Sequence, residues 1–195
     1  MATSDTEWPK FEVTKLDAAR RQLETAVWLL FEGGDAVSIH TLAHAAFGIM
    51  KGVAEHRSKR KVLDAANEIA EGNSNFLNGF NRAGNFFKHG DRDPDGFLSG
   101  MPEEENEALI SIAIEIYRDL GCLATPEIES FYLWWRCIHF QDIDNVGEPF
   151  ISWLERNADR LHSERRAELL LVGKELMSYL RADGRGQHGR DGTGY

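Results

Sequence analysis

The sequence predicts an all-α fold, an antiparallel helical bundle of about seven to eight helices. Apolar residues recur at three- and four-residue spacing through most of the chain. No stretch alternates at period two for long enough to argue a strand. Gly33-Gly34, Gly72-Asn73-Ser74, Gly121 and Pro149 fall where the periodic runs stop, so the connections are short.

The first helix, about residues 12–32, carries Leu16, Ala19, Leu23, Ala26, Val27 and Leu30 on one face. Gly33-Gly34 ends it, and Asp35 or Ser38 can cap the second, about 36–54. The basic run from His56 to Lys61 reads as a connector into a third helix over about 61–71, which Gly72-Asn73-Ser74 breaks. A fourth helix runs about 74–89. A loop with Gly90, Pro94, Gly96, Gly100 and Pro102 follows. Glu103-Glu104-Glu105 opens the fifth helix with charges that suit its N-terminus. Thr125-Pro126-Glu127 supplies a cap and first turn for the sixth. That helix is apolar round most of its surface, which places Trp134-Trp135 in the core or in an interface. Pro149 is expected to interrupt before a helix over 150–161, and the last helix runs from Ser163 to Leu180.

At 195 residues, the chain suits one domain over 11–181 followed by a disordered glycine-rich tail over 182–195. A 42% hydrophobic share is enough for a real core. No apolar run approaches the roughly 20 residues that span a bilayer, and the N-terminus lacks a basic-then-apolar signal. A cytoplasmic protein with no membrane partner is expected. Cys122 and Cys137 form no CxxC pair and read as buried free thiols. A net charge of −10 excludes a general nucleic-acid coat protein, but leaves room for one RNA or nucleotide at a local basic site. No glycine-rich phosphate loop, Ser-His-Asp arrangement or paired-carboxylate motif is present, and no cofactor is expected.

The helix over 74–89 is the most informative. At about 100° per residue, Asn78, Arg82, Asn85 and His89 share one narrow face. Phe76, Phe80, Ala83 and Phe87 fall opposite, where they anchor the helix to the core. Lys88 lies at the edge of the polar row. Asp91-Arg92-Asp93-Pro94 follows, and either carboxylate can orient His89 or pair with Arg82 or Lys88. A histidine can move a proton to or from a ribose hydroxyl while an arginine stabilises charge on phosphate, so RNA cleavage is within reach of this row without a metal. His40 and His44, four residues apart, suit a metal site with His89, or packing histidines. His40 can also join His89 at the polar cleft. The basic run could touch RNA phosphates or an acidic partner, or serve only as a solvated connector.

Arg82, six residues, then His89 resembles the Arg-x(4–6)-His pattern of HEPN-domain proteins. More specifically, Lys15-Leu16-Asp17-Ala18-Ala19, Ser38-Ile39-His40-Thr41-Leu42-Ala43 and the string Asn85 to Pro94 look like a bacterial family of uncharacterised HEPN-like proteins. The resemblance covers roughly residues 12–140. It implies an all-helical, commonly dimeric fold, in a superfamily that includes metal-independent ribonuclease toxins. In those, Arg and His of two protomers face each other in a cleft. Ala83 stands where catalytic members usually carry a polar residue. Three functions follow as expectations. One is a homodimeric module that binds a protein partner or a nucleotide through a polar cleft of Asn78, Asn85, His40 and Asp93, in a defence or toxin–antitoxin setting. Another is an endoribonuclease with catalytic Arg82 and His89 supported by Asn85, Lys88 and Asp91. The third is a metal site of His40, His44 and His89.

Overall fold

Thr14 starts the first helix. Its hydroxyl accepts from the Asp17 amide at 3.1 Å, satisfying one of the four amides that a helix start leaves open. The computed structural model describes residues 10–59, 61–65, 75–139 and 148–183, with the backbone alone at 75–78 and 148–149. Seven long helices lie within these residues: α1 Lys15–Phe31, α2 Ala36–His56, α3 Asn75–Lys88, α4 Glu104–Asp119, α5 Pro126–His139, α6 Glu148–Leu161 and α7 Arg166–Ala182. Residues 61–65 are also helical. The rest of the expected third helix, its Gly72-Asn73-Ser74 break and the tail beyond residue 183 lie outside the described residues. So do the side chains of Phe76 and Asn78. No strand occurs among the described residues, and no described helix is long and apolar enough to cross a membrane.

Local chemistry sets the boundaries. Asp35, not Ser38, caps α2: its carboxylate accepts from the Ser38 amide at 2.8 Å. Two residues longer than its periodicity predicts, α2 takes His56 out of the basic connector. Ser58 then turns into the left-handed region at φ 56°, and Lys59 and Ser58 donate back to the Ala54 and Glu55 carbonyls. That is a Schellman termination built on serine, so no glycine marks it in the sequence. Thr125 caps α5 as expected, with its hydroxyl 3.5 Å from the Ile128 amide. Helix α6 begins two residues before the expected Phe150, so Pro149 sits in its first turn, where a missing amide hydrogen costs nothing; the residues just before Glu148 lie outside the described residues.

Helices α1 and α2 pack along their lengths, and α2 also carries α4 and α3. On the other side of α1, α5 and α7 pack together and α6 lies on α7. One apolar core runs through both halves, from Ala43 and Met50 to Phe131, Trp134 and Leu176. Trp134 is a core residue whose indole donates to the Leu169 carbonyl at 2.7 Å; Trp135 is half-buried and stacks on Phe131. Two buried carboxylates tie α7 down: Glu107 of α4 meets Arg166, and Glu127 of α5 meets Arg181 at 2.8 Å. Burial pushes the Glu107 carboxyl up, and the Arg166 guanidinium opposes that shift. Cys137 is buried, its thiol pushed up to about 12 by burial, and Cys122 is half-buried with its thiol raised for the same reason. Both are free and unreactive in this setting.

Helical glycines show where backbones need room. A methyl group at Gly84 would run into the His44 ring at about 2.5 Å, whereas no described residue lies within 4 Å above Gly48. Gly84→Ala should therefore destabilise the fold by about 1–3 kcal/mol through overpacking. Gly48→Ala should stabilise it by up to about 1 kcal/mol. Urea midpoints of the two variants should move in opposite directions from the parent.

Candidate functional site

Helix α3 divides as its wheel predicts over the residues whose side chains are described. Phe80 and Ala83 are buried, while Arg82 and Asn85 face out. His89 lies one residue past the helix end and is half-buried, its amide still donating to the Asn85 carbonyl at 3.1 Å. The chain then turns twice. Arg92 donates to the His89 carbonyl at 3.3 Å, and Gly96 to the Asp93 carbonyl at 3.1 Å. The Asp93 carboxylate lies so close over Gly96 that any β-carbon there would displace it.

These turns bring residues 97–99 back beside α3. Arg82 holds them there, donating from Nη2 to the Ser99 carbonyl at 3.2 Å. The result is a cleft of about 290 Å³ lined by Arg82, Asn85, His89, Arg92 and Asp93, with Phe86 and Phe97 at its walls. Phe97 is 86% exposed and Phe86 37%. Both arginines and the imidazole thus line the same cleft as two accessible aromatic rings. Among the described residues, the Arg82 and Arg92 guanidinium groups form no ion pair and the His89 ring has no hydrogen-bond partner. One N–H of Arg82 is used on Ser99; the guanidinium carries five.

Other expected site residues lie elsewhere. His40 is not at the cleft. It is fully buried: its Nδ1 donates to Asn106 Oδ1 at 2.9 Å, and its Nε2 lies 3.2 Å from the Phe80 carbonyl. Asn106 in turn donates to the Ala36 carbonyl at 3.0 Å, which fixes which end of the amide faces His40. His40 therefore joins α2, α3 and α4 and is a structural residue. Lys88 points away from the cleft, donating to His44 Nδ1 at 2.9 Å, because a residue at the edge of the polar row can turn to either side. Asp91 is exposed and does not line the cleft. Asn78 has no described side chain. His40, His44 and His89 are not brought together. The first has both ring nitrogens against oxygen atoms, the second faces an ammonium, and no group of three metal-ligating side chains forms among the described residues. Conversely, Phe97, Leu98 and Ser99 line the cleft without having been singled out, and Phe86 and Arg92 enter it from the Asn85–Pro94 string without having been given a site role. Nothing in the sequence marks Phe97, because single apolar residues on a surface loop are ordinary.

No family model matches the chain, and neither does any curated protein or solved structure.

His44 gives the site's surroundings a pH signature. Burial lowers its pKa, Lys88 and the His40 ring lower it further, and Asn81 beside it opposes them. A histidine held neutral in the fold resists protons that the unfolded chain accepts. Stability is therefore fully present above the unfolded value of about 6.5 and is lost as pH falls below it. Urea unfolding at pH 7.5 and 5.5 should show a loss in the parent that is smaller in His44→Phe. Equal losses would mean that His44 ionises as freely in the fold as outside it.

Proposed function

We propose that the chain is a HEPN-like module that binds a nucleotide unit, free or within single-stranded RNA, in the α3 cleft. One observation carries this reading: Arg82, Arg92 and His89 line the same cleft as the exposed rings of Phe86 and Phe97. Guanidinium groups bind phosphate through paired N–H donors, and aromatic faces stack on bases. The chain carries a net charge of −10, so anion binding has to be local, and this cleft sets two arginines and a histidine against the single carboxylate of Asp93. Asn85 adds an amide that can donate and accept at a base edge. The HEPN resemblance adds the expectation of a homodimer, in which two such clefts could adjoin.

A second reading, metal-independent endoribonuclease, is favoured by one feature: the His89 imidazole shares the cleft with Arg82 and is bound to nothing among the described residues. An imidazole free to move a proton, next to a cation that can hold a phosphate, is the minimum that ribose-directed cleavage needs.

Calorimetric titration with AMP and with a single-stranded RNA oligonucleotide separates these readings. Binding should weaken at least tenfold in Arg82→Ala, on the order of 1.4 kcal/mol or more. AMP affinity untouched by both Arg82→Ala and Arg92→Ala would remove the cleft from consideration. In EDTA, catalytic turnover of the RNA by the parent but not by His89→Ala would establish the enzyme reading; intact RNA with both proteins leaves the binding module.

A further inference from the structure

A second concave surface lies on the opposite side of Lys88 from the cleft. It is a groove of about 680 Å³ along the open face of α2, floored by Ala45, Gly48, Ile49, Gly52 and Val53. Gly48 and Gly52 stand one turn apart in mid-helix, and each costs about 1 kcal/mol relative to alanine. The fold explains its other closely packed helical glycines: Gly84 makes room for the His44 ring and Gly173 for the Phe31 ring. Among the described residues, nothing lies within 4 Å above Gly48 or Gly52. A second helix can approach closest where side chains are smallest, and this bare backbone suits such an approach.

Charge marks both ends of the groove. At the Ala45 end stand Lys88 and His44; His44 is only 9% exposed, and its Nε2 has no hydrogen-bond partner among the described residues. At the other end stand Lys15, His56 and Arg57. Ala45 to His56 is about 16 Å of helix at 1.5 Å per residue, close to three turns. Several long cations elsewhere are paired, as Arg20 is with Asp17 and Glu24, Arg160 with Glu175 and Arg181 with Glu127. Lys15, Arg57 and Lys88 have no carboxylate partner among the described residues. In a chain of net charge −10, three such cations gathered round one apolar strip complement a partner that carries negative charge at both ends.

We propose that this groove receives an acidic amphipathic helix of a partner protein. The helix lies over Gly48 and Gly52 with a small apolar face about three turns long. It sets one carboxylate against Lys88 and another against Lys15 and Arg57. An acyl anion has one headgroup and leaves one cationic end unused. Nucleic acid makes no use of an aliphatic floor. The α2 face of a second copy would bring cations to cations.

The test uses the full chain and a labelled 16-residue peptide with a Leu/Ala face and a Glu pair at each end, followed by fluorescence anisotropy. Saturable binding is expected. It should weaken at least tenfold in Gly52→Leu and in Lys88→Glu, fall with added salt, and be unchanged in Arg82→Ala. Gly52→Leu adds a side chain in open space on a helix, so its melting temperature should match or exceed the parent's, which separates lost binding from lost fold. Four results overturn the proposal: no saturation, equal binding of a Lys-for-Glu control peptide, indifference to Gly52→Leu, or displacement of the peptide by dodecanoate or an RNA oligonucleotide. Self-association of the chain that Gly52→Leu abolishes would assign the groove to a second copy and overturn it as well. None of these outcomes depends on whether the cleft binds nucleotides.

Discussion

Much of the surface chemistry of this bundle depends on one buried imidazole. His40 links α2 to α4 through Asn106 and reaches the Phe80 carbonyl in the middle of α3. A buried polar ring left without partners would cost on the order of 1–3 kcal/mol for each stranded group, so its contacts specify one arrangement of the three helices. Phe87 packs edge-on against the same ring. Once α3 is held at Phe80, the direction of every later Cβ on it follows from helical geometry.

That placement gives α3 two outputs. Arg82, Asn85 and His89 open on the cleft, where Arg82 also fastens the returning segment at Ser99. Lys88, one position before His89, turns to His44 and the groove on α2. Gly84 lets the His44 ring lie flush with α3 between these two surfaces. A ligand at either surface touches the last turn of the same helix. Lys88 and His89 are adjacent in sequence but face different ways.

The bundle was legible because core periodicity and caps are local: Leu23, Val27 and Leu30 repeat on one face, and Asp35 and Thr125 cap where they should. The outward row on α3 was legible for the same reason, since 100° per residue needs no tertiary information. What escaped the sequence was long-range. His40 reads equally as ligand, cleft residue or core residue until Asn106, 66 positions away, is placed beside it. Lys88 looked like part of the polar row because the wheel gives a direction for its Cβ and none for its flexible stem. Arg92, Phe97 and Ser99 enter the cleft only because the chain after His89 turns back, a path set by the Arg82–Ser99 hydrogen bond and the turns at Arg92 and Gly96. Ser58 ended α2 in a conformation that glycine usually signals.

The proposed nucleotide cleft lies on one side of α3, and His44 and Lys88 belong to a different surface. Amide chemical-shift mapping of the isotope-labelled chain during titration with AMP tests it most directly. The account predicts shifts concentrated in residues 82–99, and little change along the groove face of α2 from Ala45 to Val53. Shifts centred on that α2 face, or none at saturating AMP, would contradict it.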